Sequence, residues 1–134
     1  MNVLTEESTQ KFVQLDKWRI RYHEAGEGYP VILLHGSGPG ATAWSNFGPN
    51  IAELSKKYRV IAPDFPGWGL SDSFDPDSGP RFNANVEAVI GLMDALGIEK
   101  AAIIGNSMGG IGSQMLTALH PDRVSHCITM GAPA

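Results

Sequence analysis

Residues Ala101-Ala102-Ile103-Ile104-Gly105-Asn106-Ser107-Met108-Gly109-Gly110 decide how this chain folds. The first four form an unbroken apolar run, the pattern of a strand buried on both faces. A segment of helical period follows at once from Met108, with Ile111, Met115 and Leu119 on one face and Pro121 beyond its end. So tight a turn leaves no room for a side chain two residues to either side of Ser107, where the chain passes its neighbours. Gly105 and Gly109 supply that clearance, and Gly110 adds to it. The serine hydroxyl is thereby lifted off the sheet at a helix N-terminus, where oriented amides favour developing negative charge.

The alternation of strand and helix extends outward from this point. Val31 to Leu34, Val60 to Ala62 and Val124 to Met130 are further short apolar runs, the last with a few polar interruptions, and all are expected to be buried parallel strands. Ile51, Leu54 and Tyr58 follow Pro49, which suits a first helical position; Val86, Val89, Ile90, Met93 and Leu96 form a second helical face ending at Gly97. Near the N-terminus, Phe12 to Leu15 and Trp18 to His23 alternate around Asp16-Lys17, predicting an antiparallel hairpin with one wet face. The fold class is therefore α/β: an N-terminal antiparallel hairpin, then a mostly parallel sheet of about six strands with helices on both faces. Residues 1–134 are expected to form a single domain, and Pro63 to Pro80 its one long loop.

With 134 residues, 43% hydrophobic and 18% charged, the composition is that of a globular domain. A net charge of -4 disfavours nucleic acid, and no apolar run reaches the roughly eighteen residues of a membrane span. Cys127 is the single cysteine, and no Cys/His cluster has zinc-site spacing, so neither an internal disulfide nor a metal is expected. The first residues have no basic segment followed by an apolar one, which makes a cytoplasmic location the expectation.

Three motifs carry chemistry. Gly105 to Gly109 fits G-x-S-x-G between a strand and a helix, the context of a nucleophile elbow; a plain connecting turn is the alternative. His35-Gly36-Ser37-Gly38-Pro39-Gly40-Ala41 follows a strand and exposes amides that could complete an oxyanion hole. It lacks the Gly-Lys-Ser/Thr ending of a phosphate loop. Asp64-Phe65-Pro66-Gly67-Trp68-Gly69-Leu70-Ser71-Asp72 follows a third strand, and its two acids read as structural, because a triad acid in such a sheet comes after the serine.

In this order, and with Trp44-Ser45-Asn46 and Gly91 to Leu96, these motifs resemble the α/β-hydrolase superfamily. Within it they are most similar to the meta-cleavage-product hydrolases, carbon–carbon bond hydrolases of aromatic degradation. The resemblance runs from about residue 12 to the end. It implies Ser107 as nucleophile, the backbone amides of Met108 and Ser37 as oxyanion hole, and Gly36, Gly38, Asn46 and Asn106 along the substrate. Asn106 equally suits a tight turn, and Asn46 a helix cap. The implied substrates are vinylogous dienolic diketo-acids, small molecules cleaved without a cofactor. Relatives of this kind carry a helical lid and the triad Asp and His after the sixth strand, so the resemblance implies a truncated core ending at Gly131-Ala132-Pro133-Ala134.

No resident histidine is well placed to replace the missing base. His120 is expected roughly 18 Å from Ser107 along its helix, and His126 roughly 13 Å below the rim. His23 belongs to the hairpin, and His35 is implied to shape the oxyanion loop. Three functions remain open: the carbon–carbon hydrolase, a weak carboxylesterase using the same serine, and a non-catalytic half-domain that binds a small ligand. The last strand, left as an edge, predicts a homo-oligomer, most simply a dimer.

Overall fold

The computed structural model describes residues 3–131. A one-turn helix α1 (Glu6–Thr9) leads into β1 (Gln10–Gln14) and β2 (Arg19–Ala25), followed by β3 (Pro30–Leu34), α2 (Ala43–Leu54) and β4 (Arg59–Pro63). Then come α3 (Arg81–Ala95), β5 (Ala101–Asn106), α4 (Met108–Leu119) and β6 (Val124–Met130). The six strands form one sheet in the order β1-β2-β4-β3-β5-β6. β1 and β2 pair antiparallel, as does β2 with β4; the β4-β3, β3-β5 and β5-β6 pairs are parallel.

The unbroken apolar runs are explained by covering on both faces. On one side Ile32, Leu34, Ile61 and Ile103 pack beneath Val89, Leu92 and Leu116 of α3 and α4. Their strand neighbours Val31, Leu33, Val60 and Ala62 pack on the other side against Ala43, Phe47 and Ile51 of α2. A two-residue side-chain period with both faces dry leaves no polar positions within these strands.

Three expectations change. The hairpin has no wet face along β2, where Ile20, Arg21, Tyr22 and His23 are all buried, because the sheet continues through β4 and α1 and α2 lie over it. α2 begins six residues before Pro49, at Ala43, because Thr42 and Ser45 form a reciprocal capping box; Pro49 lies inside the helix. β6 is parallel as expected, yet exposed from His126 to Met130, since among the described residues it pairs only with β5 and forms the sheet edge.

The order places β3 at a reversal. The crossover through α2 goes to one side of β3 and that through α3 to the other, so the connections leaving β3 and β5 diverge at their carboxyl ends. Open α/β sheets form their binding crevice at such a point.

Candidate active site

Both glycine-rich turns meet at that crevice. β3 ends into His35-Gly36-Ser37 and β5 into Asn106-Ser107, with Leu34 and Gly105 in register. A Cβ added to Gly36 would lie 3.4 Å from the Ser107 Cβ, which measures how closely the two turns approach.

Ser107 has φ 54° and ψ -112°, the single non-glycine residue with positive φ among those described. Such a conformation is strained and persists only where its surroundings enforce it. Gly105 is one enforcer, since a side chain there would overlap Gly109 O and Ser113 Oγ; Gly109 is another, pressed against Leu34 O. β6 adds a third, because Met130 O accepts the Ser107 N–H at 2.7 Å. Ser107 is the N-cap of α4, yet its side chain makes no capping hydrogen bond. The hydroxyl is therefore not consumed by the helix, as an N-cap serine usually is.

The loop after β3 is held through the peptide groups of Gly36. Its N–H donates to Asn46 Oδ1 at 2.6 Å, and the same oxygen accepts Asn106 Nδ2 at 3.3 Å. Its carbonyl accepts from His35 Nδ1 at 2.7 Å. Gly38 and Gly40 both have positive φ and form the turn closed by Ala41 N–H on Gly38 O. Asn46 is the fourth residue of α2, so the alternative role of capping that helix is overturned; Thr42 does that. Ser37 is exposed and Ser107 half-buried, and Met108 is buried as the first residue of α4.

His35 is fully buried, and its two nitrogens have fixed roles. Nδ1 faces a carbonyl and must donate, while Nε2 accepts the Phe65 N–H at 3.0 Å. Burial lowers its pKa below the usual histidine value and so favours the neutral ring, whose one basic nitrogen is occupied by the Phe65 N–H and not offered to Ser107. None of the other histidines described bonds to Ser107: His23 meets Thr9, His126 meets Ser125 near the far end of β6, and His120 caps α4 at its opposite end.

Sequence inspection missed how deeply Arg21 and Asp64 are involved. They form an ion pair at 2.7 Å with both side chains buried, and Asp64 also accepts the Ala43 N–H at the start of α2. An arginine inside an alternating apolar strand was the available signal, since a buried charge requires a partner. Asp72 is structural as expected, accepting the Arg19 N–H.

Among the described residues there is no group of three or more His, Cys, Asp or Glu side chains able to hold a metal ion, and no helix long and apolar enough to cross a membrane.

A serine in a strained strand-to-helix turn, flanked by glycines and facing a second amide-rich turn at a sheet switch point, defines the α/β-hydrolase class. Residues 29–134 match the family described as the alpha/beta hydrolase fold, and the chain belongs to that family. It is 45% identical over 137 aligned positions to a 2-hydroxy-6-oxo-6-phenylhexa-2,4-dienoate hydrolase of Burkholderia cepacia, covering 98% of this chain and 48% of that protein. A 2-hydroxy-6-oxononadienedioate/2-hydroxy-6-oxononatrienedioate hydrolase of Comamonas testosteroni gives 45% identity with the same coverage. The solved meta-cleavage product hydrolase of Pseudomonas fluorescens IP01, a mutant complexed with acetates, superposes with TM-score 0.86 at 43% identity. That match covers 91% of this chain and 44% of the other. The chain thus spans about half the length of the relatives it matches.

Proposed function

We propose that this chain carries the nucleophile and oxyanion hole of a serine hydrolase that cleaves a carbon–carbon bond in 2-hydroxy-6-oxo-dienoates. The observation that carries the proposal is Ser107 itself: positive φ, hydroxyl left uncapped, and the Gly36-Ser37 turn packed against its Cβ. The substrate class comes from the names of the relatives, which act on such dienoates. Gly36 N–H is already given to Asn46, which leaves the amides of Ser37 and Met108 as the oxyanion donors. Asn46, Asn106, Gly36 and Gly38 line the polar side of the substrate.

In this mechanism the ketonised substrate is attacked by Ser107 Oγ at the carbonyl carbon beside the bond to be cleaved. Negative charge forms on that carbonyl oxygen, where the two amides are preorganised to receive it. Collapse breaks the carbon–carbon bond, whose electron pair leaves with the 2-hydroxydienoate as it takes up a proton. Water then releases the carboxylic acid from Ser107. A serine needs a base at neutral pH, and with His35 committed to the loop the acid and base are proposed to lie outside the described residues.

A second reading, weak carboxylesterase action by the same serine, is supported by that missing base, since an oxyanion hole alone leaves residual catalysis. The test is turnover of a p-nitrophenyl ester and a meta-cleavage dienoate by the chain and its Ser107→Ala and His35→Ala variants. Loss with Ser107→Ala on the dienoate supports carbon–carbon hydrolysis, and loss on the ester alone supports the esterase. Equal rates in wild type and Ser107→Ala would overturn both. We also propose a homodimer through the exposed edge β6 and the apolar sheet face beside it.

A further inference from the structure

The oxyanion loop is held in place by groups that converge on one dipeptide, Asp64-Phe65, immediately after β4. Asp64 is fully buried. Its Oδ2 accepts Arg21 Nε at 2.7 Å and the Leu70 N–H at 3.1 Å, and its Oδ1 accepts the Ala43 N–H at 2.8 Å. Its backbone carbonyl accepts Ser71 Oγ at 2.7 Å. Three segments far apart in sequence, β2, the start of α2 and the turn at Leu70, are thus tied to one carboxylate. Arg21 is itself held from its outer side by Glu6 and Gln10, so the anchor does not swing.

The consequences reach the site by two routes. Ala43 is the first residue of α2, where a negative charge is favoured by the helix dipole. Asn46 is three residues further along the same helix, and its Oδ1 holds the Gly36 N–H. Any shift of the α2 N-terminus therefore moves the acceptor that fixes Gly36. The second route is Phe65, whose N–H fixes His35 Nε2 while His35 Nδ1 holds the Gly36 carbonyl. Both polar atoms of Gly36 are placed by residues anchored at 64 and 65, and the next amide in the chain is that of Ser37.

The geometry points to Asp64 as a positioning residue of the oxyanion loop, acting through the N-terminus of α2 and Asn46 to place Gly36 and the Ser37 amide. This role rests on the proposed function for its catalytic meaning. The structural linkage can be tested apart from turnover.

The informative variant is Ala43→Pro. Proline is tolerated at the first position of a helix, and the extended Thr42 before it suits a following proline. It deletes the single N–H that Asp64 Oδ1 accepts, and its ring Cδ takes the place of that hydrogen and pushes the carboxylate away from the start of α2. Asp64→Asn is the companion, keeping the shape while placing a donor against donors. The first readout is the Gly36 amide resonance and its hydrogen exchange, which do not depend on catalysis. The second is ester turnover.

In folded Ala43→Pro the Gly36 amide should exchange at least about tenfold faster, as expected when a local hydrogen bond is loosened, while the amide of Ile103 is unchanged. Asn46→Ala should give the same change, and the double variant should add nothing to it. In turnover, kcat should fall about tenfold with little change in KM, because an oxyanion contact acts in the transition state. A Gly36 amide unmoved in folded Ala43→Pro, or effects of Ala43→Pro and Asn46→Ala that simply add, would overturn the role of Asp64. If Ser107→Ala leaves ester turnover unchanged, the proposed function fails, and the Gly36 exchange still decides whether Asp64 positions the loop.

Discussion

At Ser107 the backbone holds a conformation that its residue type resists, and it does so because Gly105 and Gly109 leave nothing in the way. A methyl group at either glycine would meet backbone oxygen. Gly109→Ala should therefore destabilise the fold by about 3 kcal/mol, the upper range for overpacking, seen as a lower urea midpoint; an unchanged midpoint would show that the elbow can relax. Titration gives a second residue-scale prediction. His23 and His35 are both buried, and burial lowers both pKa values below that of the unfolded chain. The unfolded state then takes up protons first, so the stability these neutral rings contribute is complete above about pH 6.5 and is lost as pH falls toward the lowered folded values. The urea midpoint should drop between pH 7.5 and 5.5, and His23→Gln should make that drop shallower; a midpoint that rises on acidification would contradict the assignment. The elbow was legible in sequence because its glycines and serine are local. The clamp at Asp64 was not, because its partners Arg21 and Ala43 lie 43 and 21 residues away.

Among the elements, α2 shows where local patterns mislead. Pro49 resembles a helix start, and the Gly48-Pro49 pair hides the helical period of Ala43, Phe47 and Ile51. The true start is encoded by Thr42 and Ser45, a capping box with serine in place of the usual glutamate or glutamine, which weakens the signal. Thr42→Ala should cost about 1 kcal/mol, the typical value of an N-cap. Pro49→Ala should add about 1 kcal/mol, well below the roughly 3 kcal/mol penalty of proline in a regular helix interior, since Pro49 is exposed and the helix runs unbroken past it. Thermal or urea unfolding of the two variants checks both signs, and a loss of stability in Pro49→Ala would mean that the proline ring itself is required at that position. The strands β3, β4 and β5 were legible because burial on both faces gives an unbroken apolar run. The exposure of β6 was not visible in its composition, since it depends on which strands flank it.

For the whole molecule, strand order decides where chemistry can occur. The reversal at β3 opens one crevice, and the two turns containing Ser37 and Ser107 are the ones that meet there. Among the described residues nothing covers the sheet beside β6 on the α2 side: a trough of about 710 Å³ lies between Tyr29, Tyr58, Ile104 and Ile128, with Ile128 55% exposed. So large an apolar face beside a free strand edge favours association. Light scattering at micromolar concentration should return twice the chain mass, and a stable monomer would contradict the proposed dimer. The alternation of strand and helix announced this architecture from sequence, but the two-sided core and the uncovered trough emerge only when the strands are placed in order. The central claim, that Ser107 stands uncapped over a preformed oxyanion hole, is tested most directly by a fluorophosphonate probe at mildly alkaline pH with the modified peptide identified by mass. A single adduct on Ser107, absent from Ser107→Ala, is the predicted result; no adduct, or equal labelling of the alanine variant, would contradict it.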